Sequence, residues 1–81
     1  MSNLAQAVKG EQVIVTSILA SDLKSKLMEL GIVVGRELTV LFHAPFGDPI
    51  AVDMDGFVLS LRKSEAELIS ISRKVNTSQT A

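Results

Sequence analysis

The residues of this chain that could do chemistry are concentrated in one stretch, "HAPFGDPIAVDMD". It holds the single histidine, His43, and three aspartates, Asp48, Asp53 and Asp55. A transition-metal site normally needs three or four ligands, and zinc sites use sets rich in Cys and His. One histidine with scattered acids forms no such set, and the aspartate spacing does not match a calcium-binding loop. His43 is therefore only a weak candidate metal ligand. We expect no resident cofactor, with weak binding of a divalent metal ion left open.

The sequence also lacks the usual catalytic motifs. It has no cysteine, which excludes thiol catalysis, disulfides and iron–sulfur clusters. No serine stands in the G-x-S-x-G context of hydrolases, and no G-K-[ST] follows Gly31 or Gly35 as it would in a phosphate-binding loop. We therefore expect that the protein is not an enzyme.

Size and composition further limit the classes of protein to which this chain could belong. The chain has 81 residues, 47% of them hydrophobic, which predicts one domain with an aliphatic core. Eight basic and nine acidic residues are mixed along the chain, and aromatic residues make up 4%. Such a chain offers no basic, aromatic surface for nucleic acid. Without a signal peptide or a long apolar run, we expect a soluble, cytoplasmic protein.

The loop at "APFGDP" is built stiffly for a simple connection. Pro45 and Pro49 each restrict the backbone of the residue before them, and Gly47 permits a positive φ at the tip. A loop of this kind loses little entropy on ordering, which suits a rigid contact. Phe46 either caps the core or is displayed to a partner. Phe46 and Asp48 are the candidate partner contacts here.

The elements that position these residues are mostly strands. Alternating or β-branched patterns predict five strands, at residues 12–19, 36–43, 49–54, 57–62 and 68–72. Asp55 and Gly56 form a strong signal for a two-residue hairpin turn. Arg62, at the end of the fourth of these strands, is a candidate charged contact.

Two helical segments interrupt the strands. Residues 22–30 are strong helix formers preceded by capping residues, and Leu23, Leu27 and Leu30 form one stripe that we expect to face the core. Met28 lies off this stripe and is the helix's candidate partner contact. Gly31 stands where a helix-terminating glycine belongs. The capping-box spacing of residues 64–67 predicts a single helical turn.

Together these elements predict an SH3-like small β-barrel of about five strands, with one inserted short α-helix and one helical turn. A flat sheet with a helix packed on it is the alternative. We expect the domain to span residues 1–73 and residues 74–81 to form a disordered polar tail.

Three blocks of the sequence resemble a known family. They are "KLMELGIVVG" at residues 26–35, "APFGDPIAV" at residues 44–52 and "LSLRKSEAELISI" at residues 59–71. Their order and separations are similar to those of the FeoA family, the small cytoplasmic component of bacterial ferrous iron transport. The resemblance extends from about Leu4 to Arg73 and implies an SH3-like barrel with a helical insertion.

The resemblance also implies a partner. FeoA-like proteins work with FeoB, a membrane permease with a cytoplasmic G domain, and are thought to bind and modulate it. This implies a regulatory protein at the cytoplasmic side of the inner membrane, with Phe46, Asp48, Met28 and Arg62 as contact residues. Two alternatives remain open: an iron sensor that binds Fe²⁺ through His43 and nearby carboxylates, and an interaction module like the C-terminal domains of DtxR-type repressors. The oligomeric state also stays open.

Overall fold

The computed structural model describes residues 2–74 of the chain. Its elements, in chain order, are β1 (Ser2–Asn3), a 3-10 helix (Leu4–Gln6), β2 (Gln12–Ile18), α1 (Lys24–Glu29), β3 (Glu37–His43), β4 (Ile50–Met54), β5 (Phe57–Leu61), α2 (Lys63–Ala66) and β6 (Ile69–Arg73). All five predicted strands are present, with ends within about two residues of those expected. The short strand β1 was not predicted.

The strands form one antiparallel sheet in the order β1-β6-β2-β3-β4-β5. The register shifts between Val15 and Ser17 on β2, and again between Val40 and Phe42 on β3. Shifts of this kind bend a strand and increase its twist, which lets a small sheet curl around its own core. The mainly β architecture that the sequence predicted is therefore confirmed.

The core is aliphatic, as the composition predicted. Its fully buried large side chains come from the 3-10 helix, from α1 and the segment after it, and from strands β2 to β6: Leu4, Val13, Val15, Leu27, Ile32, Leu38, Val40, Ile50, Val52, Leu61 and Ile69. Because alternate residues of each strand point to opposite faces, the period-two patterns place these side chains on the inner face. The 3-10 helix and α1 contribute Leu4 and Leu27 to the same cluster.

The turn between β4 and β5 has the predicted form. Asp55 and Gly56 have φ angles of 52° and 91°, and Met54 pairs with Phe57 on either side of them. Positive φ at both central residues is the requirement of a type I′ turn, whose twist matches that of the flanking strands.

Helix α1 is shorter than predicted, and only part of its leucine stripe faces the core. Leu27 is fully buried and Leu23 half-buried, but Leu30 remains 40% exposed, so its predicted core position is wrong. The reason is that α1 ends at Glu29, and Leu30 is its C-cap. Met28 is 48% exposed, in agreement with its place off the stripe.

Gly31 ends the helix as predicted. Its φ is 99°, its N–H donates to the Met28 carbonyl, and the next residue, Ile32, donates to the Leu27 carbonyl. This pair of bonds is the Schellman motif, and Leu27 and Ile32 supply the buried apolar residues that accompany it. A Cβ at Gly31 would lie 2.9 Å from the Met54 Cε, so a side chain here has little room.

The single helical turn α2 is present, but its cap lies two residues earlier than predicted. Arg62 is the N-cap, and the Glu65 Oε1 accepts its backbone N–H at 2.8 Å. The predicted pair of Ser64 and Glu67 does not form the cap. In this register Ala66 is fully buried in the core.

The predicted tail is described only at its first residue. The Lys74 backbone N–H donates to the Gln12 carbonyl at 2.9 Å, and its Nζ lies 2.6 Å from Glu37 Oε1. Residues 75–81 lie outside the described residues, so their predicted disorder stays a prediction. No helix within residues 2–74 has the length and hydropathy needed to cross a membrane.

Candidate functional site

The loop between β3 and β4 is closed by its own backbone and presents Phe46 to solvent. The Ala44 N–H donates to the Pro49 carbonyl at 2.9 Å, and the Gly47 N–H donates to the Ala44 carbonyl at 2.7 Å. The Phe46 side chain, inside this turn, is 96% exposed. Of the two placements that the sequence left open, the structure therefore has the outward one, and Phe46 does not cap the core.

Asp48 anchors the same loop to helix α2. Its Oδ1 accepts the backbone N–H of Lys63, the first residue of α2, at 3.0 Å. A carboxylate at this position satisfies one of the N–H groups that a helix leaves free at its start. Asp48 thus has a structural role, and its predicted contact with a partner stays a prediction.

Beside Asp48 lies a small basic surface, which we call the α2 basic patch and define as Lys26, Arg62 and Lys63. All three residues are exposed. Lys26 Nζ contacts Glu65 Oε2 at 3.2 Å, while Arg62 and Lys63 take part in none of the ion pairs within residues 2–74. The patch places Arg62, a predicted contact, next to Asp48, with which it lines a common depression.

Glu65 connects α1 to the start of α2 in this region. Its side chain is only 8% exposed, and its two oxygens accept from the Arg62 backbone and from Lys26. The Arg62 N–H first, and then the Lys26 ammonium, hold the pKa of the Glu65 carboxyl below its ordinary value, against the opposing effect of burial. The carboxylate is thus ionised at neutral pH, with both oxygens already occupied.

We expect Glu65→Gln to lower the free energy of unfolding by about 1 kcal/mol near neutral pH, because an amide loses the ion pair with Lys26. Since folding lowers the Glu65 pKa, the ionised form stabilises the fold above the unfolded-state pKa of about 4.3. That stabilisation is lost as the pH falls through the lowered folded-state pKa. Urea unfolding of both proteins, from neutral pH into acid, should therefore show the difference shrinking. Glu67→Gln, two residues along and exposed, is the control, and a difference that is constant with pH would contradict the assignment.

His43, the weak metal candidate, has a structural partner. Its Nε2 donates to the Ala7 carbonyl at 2.6 Å, and the ring is half-buried at the end of β3. This bond ties the segment after the 3-10 helix to the base of the Phe46 loop. Across residues 2–74, no group of three or more His, Asp or Glu residues is arranged to hold a metal ion. Binding of Fe²⁺ through His43 stays a prediction.

The other two aspartates of the opening stretch lie elsewhere. Asp53 and Asp55 line a polar depression of about 660 Å³ together with Glu37, and Asp48 is not part of it. Lys74 and Arg36 line the same depression, and Lys74 pairs with Glu37. The stretch "HAPFGDPIAVDMD" is therefore divided between two surfaces.

Sequence reasoning missed one apolar surface. Leu30, Met54, Phe57 and Leu59 line a groove of about 440 Å³, which we call the α1–β5 groove. Phe57 falls in register with the buried residues of β5, yet it is 70% exposed. Leu30, the C-cap of α1, lines this groove, and the leucine spacing had assigned it to the core instead.

The architecture is that of a small SH3-like barrel domain with an inserted helix, which displays a rigid apolar tip and a basic patch. A family model described as the FeoA domain matches residues 2–73 of the chain. The chain belongs to the FeoA family, as its three sequence blocks suggested.

Solved structures agree with this assignment. The FeoA protein from Chlorobium tepidum is 39% identical, with a TM-score of 0.84 over 91% of this chain and 71% of that one. A FeoA-like protein from Clostridium acetobutylicum is 36% identical, with a TM-score of 0.84 over 94% of this chain and 93% of that one. FeoA from Stenotrophomonas maltophilia, described as an SH3 domain protein and solved with zinc, is 25% identical, with a TM-score of 0.77 over 89% of this chain and 91% of that one. A search of curated proteins found no match.

Proposed function

We propose that this chain is a non-catalytic accessory protein of ferrous iron uptake, which acts in the cytoplasm, docks on the permease FeoB and modulates it. Membership of the FeoA family supports the iron-transport role. The observation that carries the docking role is Phe46, an aromatic side chain 96% exposed at the tip of a closed loop.

The Phe46 loop has the properties of a contact site. Burying one phenylalanine side chain stabilises a complex by about 1.5–3 kcal/mol. A loop that is already rigid loses little conformational entropy on binding, so little of this free energy is offset. The two hydrogen bonds across the loop and the bond from Lys63 to Asp48 hold it in one conformation. A partner pocket that encloses the ring would therefore gain most of that free energy as affinity.

The charged residues nearby add specificity. Arg62 and Lys63 carry cations with no ion-pair partner within residues 2–74, so they favour an acidic surface on FeoB. Met28, an exposed and flexible apolar side chain on α1, is a further contact in this proposal, on a different face of the helix from Lys26. In this proposal, Phe46 supplies the affinity and the α2 basic patch orients the partner.

Modulation requires that this chain bind one state of FeoB more tightly than another, because a ligand shifts an equilibrium only by its difference in affinity. The G domain of FeoB has such states, since it binds and hydrolyses GTP. The iron would cross the membrane and the GTP would be hydrolysed in FeoB. This chain would contribute binding alone.

The test is a pull-down of the purified cytoplasmic region of FeoB on this chain, with GTP analogue, with GDP and without nucleotide. We expect binding in at least one state, with an affinity that differs between states. Failure to bind in every nucleotide state would remove the docking proposal. The iron-sensor and repressor-module hypotheses stay predictions.

A further inference from the structure

Within residues 2–74, strand β5 has one open edge. It lies at the end of the sheet order and, among the strands of this part of the chain, pairs with β4 alone. Met54 and Phe57 flank the two-residue turn, so they form a hydrogen-bonded pair. From there, hydrogen-bonded and non-hydrogen-bonded pairs alternate along the two strands, and Val58 and Ser60 belong to non-hydrogen-bonded pairs. The N–H and C=O groups of Val58 and Ser60 therefore point away from β4. Outside the sheet ladders, no backbone hydrogen bond within residues 2–74 reaches either residue.

This edge lacks the features that usually protect an edge strand. Natural proteins block edges with proline, lysine, bulges or very short strands. Strand β5 has five residues, "FVLSL", with no proline and no charge, and its register with β4 runs without a shift. The opposite edge, β1, is two residues long. The open edge of β5 can thus pair with another extended chain.

An apolar surface runs beside this edge. Leu59 and Phe57 face the α1–β5 groove, and Leu30 forms its other side. Because alternate residues of a strand point to the same face, every second side chain of an added strand would face this groove. An added strand with an apolar residue at such a position would cover Phe57, which is now largely exposed.

The charge at the far end of β5 indicates the chemistry of the occupant. The α2 basic patch begins at Arg62, the residue that follows β5. The neighbouring carboxylates are already engaged, Glu65 by Lys26 and the Arg62 N–H, and Asp48 by the Lys63 N–H. The cations are therefore complementary to an acidic residue on the incoming chain.

We propose that β5 binds an extended segment of the partner protein as an added antiparallel or parallel strand. The segment places an apolar side chain in the α1–β5 groove and an acidic side chain next to Arg62. This inference rests on the proposed function, since it names the kind of FeoB segment that would bind. Main-chain hydrogen bonds supply affinity in this mode of recognition, and the alternate side chains supply selectivity.

The test begins with short overlapping peptides that cover the cytoplasmic segments of FeoB, each labelled with a fluorophore and titrated with this chain. We expect binding by a peptide that carries apolar and acidic residues. In amide exchange measured by NMR, the N–H groups of Val58 and Ser60 should then exchange more slowly in the complex. Methylating the peptide's amide nitrogens at alternate positions should abolish binding in one register and leave it intact in the other.

Ser60→Pro removes the outward N–H without touching the bonds to β4, and we expect it to weaken peptide binding about tenfold or more. Ser60→Ala, which keeps the N–H, is the matched control and should bind as the wild type does. The methylated peptides test the same bond on the unaltered protein, so the outcome does not depend on the folding of the proline variant.

Two results would overturn the inference. If the cytoplasmic region of FeoB binds wild type and Ser60→Pro equally, and no peptide binds, the docking proposal stands but β5 is not the site. If Val58 and Ser60 become protected without peptide as the protein concentration rises, the occupant is a second copy of this chain. Absence of binding by the whole cytoplasmic region would instead count against the proposed function.

Discussion

Replacing Phe46 by alanine is expected to weaken binding to the cytoplasmic region of FeoB about 30-fold or more and to leave the thermal midpoint of unfolding unchanged. The side chain is 96% exposed, so the folded chain loses almost no packing when it is removed. A central aromatic contact in an interface contributes about 2 kcal/mol or more, which corresponds to this change in affinity. Calorimetric titration and thermal melting of the same preparations measure the two quantities.

Val34→Ala is the matched control, because Val34 is another exposed apolar residue, on the turn before β3. It should change neither the affinity nor the midpoint. A Phe46→Ala variant that melts earlier would show that the ring supports the fold. A variant that binds as tightly as the wild type would remove Phe46 from the interface, whatever its stability.

Replacing Leu27 by alanine is expected to remove about 2–5 kcal/mol from the free energy of unfolding. Leu27 is the buried residue of α1, with no exposed surface, and it packs in the Schellman motif with Ile32. A domain of this size has a total stability of only about 5–15 kcal/mol, so the variant should be partly unfolded at moderate temperature. Urea unfolding followed by circular dichroism measures the loss.

Met28→Ala is the control for this change, since it shortens the adjacent side chain of the same helix. Met28 is 48% exposed, and its removal should cost about 0.5 kcal/mol or less. Equal losses for the two variants would mean that α1 does not pack through Leu27 as described. The same Met28→Ala protein, titrated with FeoB, also reports whether the outer side of α1 takes part in binding.

The strands were predictable because their signals are local. Leu38 and Val40 alternate with polar residues on β3, and Asp55 and Gly56 specify the turn that sets the register of β4 and β5. Three sequence blocks then identified the family, and the barrel followed from both arguments.

The residues that the sequence misplaced depend on where helices end. Leu30 continues the leucine spacing, but the Gly31 motif stops α1 one residue earlier and leaves Leu30 at the surface. Ser64 and Glu67 have capping-box spacing, yet Glu65 takes that role, and its second oxygen accepts a hydrogen bond from Lys26, which is distant in sequence. A contact between residues so far apart along the chain has no local pattern.

The sequence predicted that the loop between β3 and β4 is rigid, but not whether Phe46 points outward or into the core. Pro45, Gly47 and Pro49 restrict the loop wherever it points, whereas the exposure of Phe46 depends on the bond between Ala44 and Pro49 and on the anchor at Asp48. The open edge of β5 could not be predicted from the sequence either, because the order of strands in a sheet is set by the whole fold.

The hydrogen bond from Lys63 to Asp48 joins the Phe46 loop to the residues that follow β5. It therefore fixes the separation between the aromatic tip and the end of the open strand edge. If FeoB binds at one of these places as proposed, the other would be presented to it at a high effective concentration, because no flexible linker lies between them. Two contacts that are individually weak would then act as one bivalent surface. Its overall affinity would depend on the Asp48 carboxylate, even if that carboxylate contacts neither bound segment of the partner.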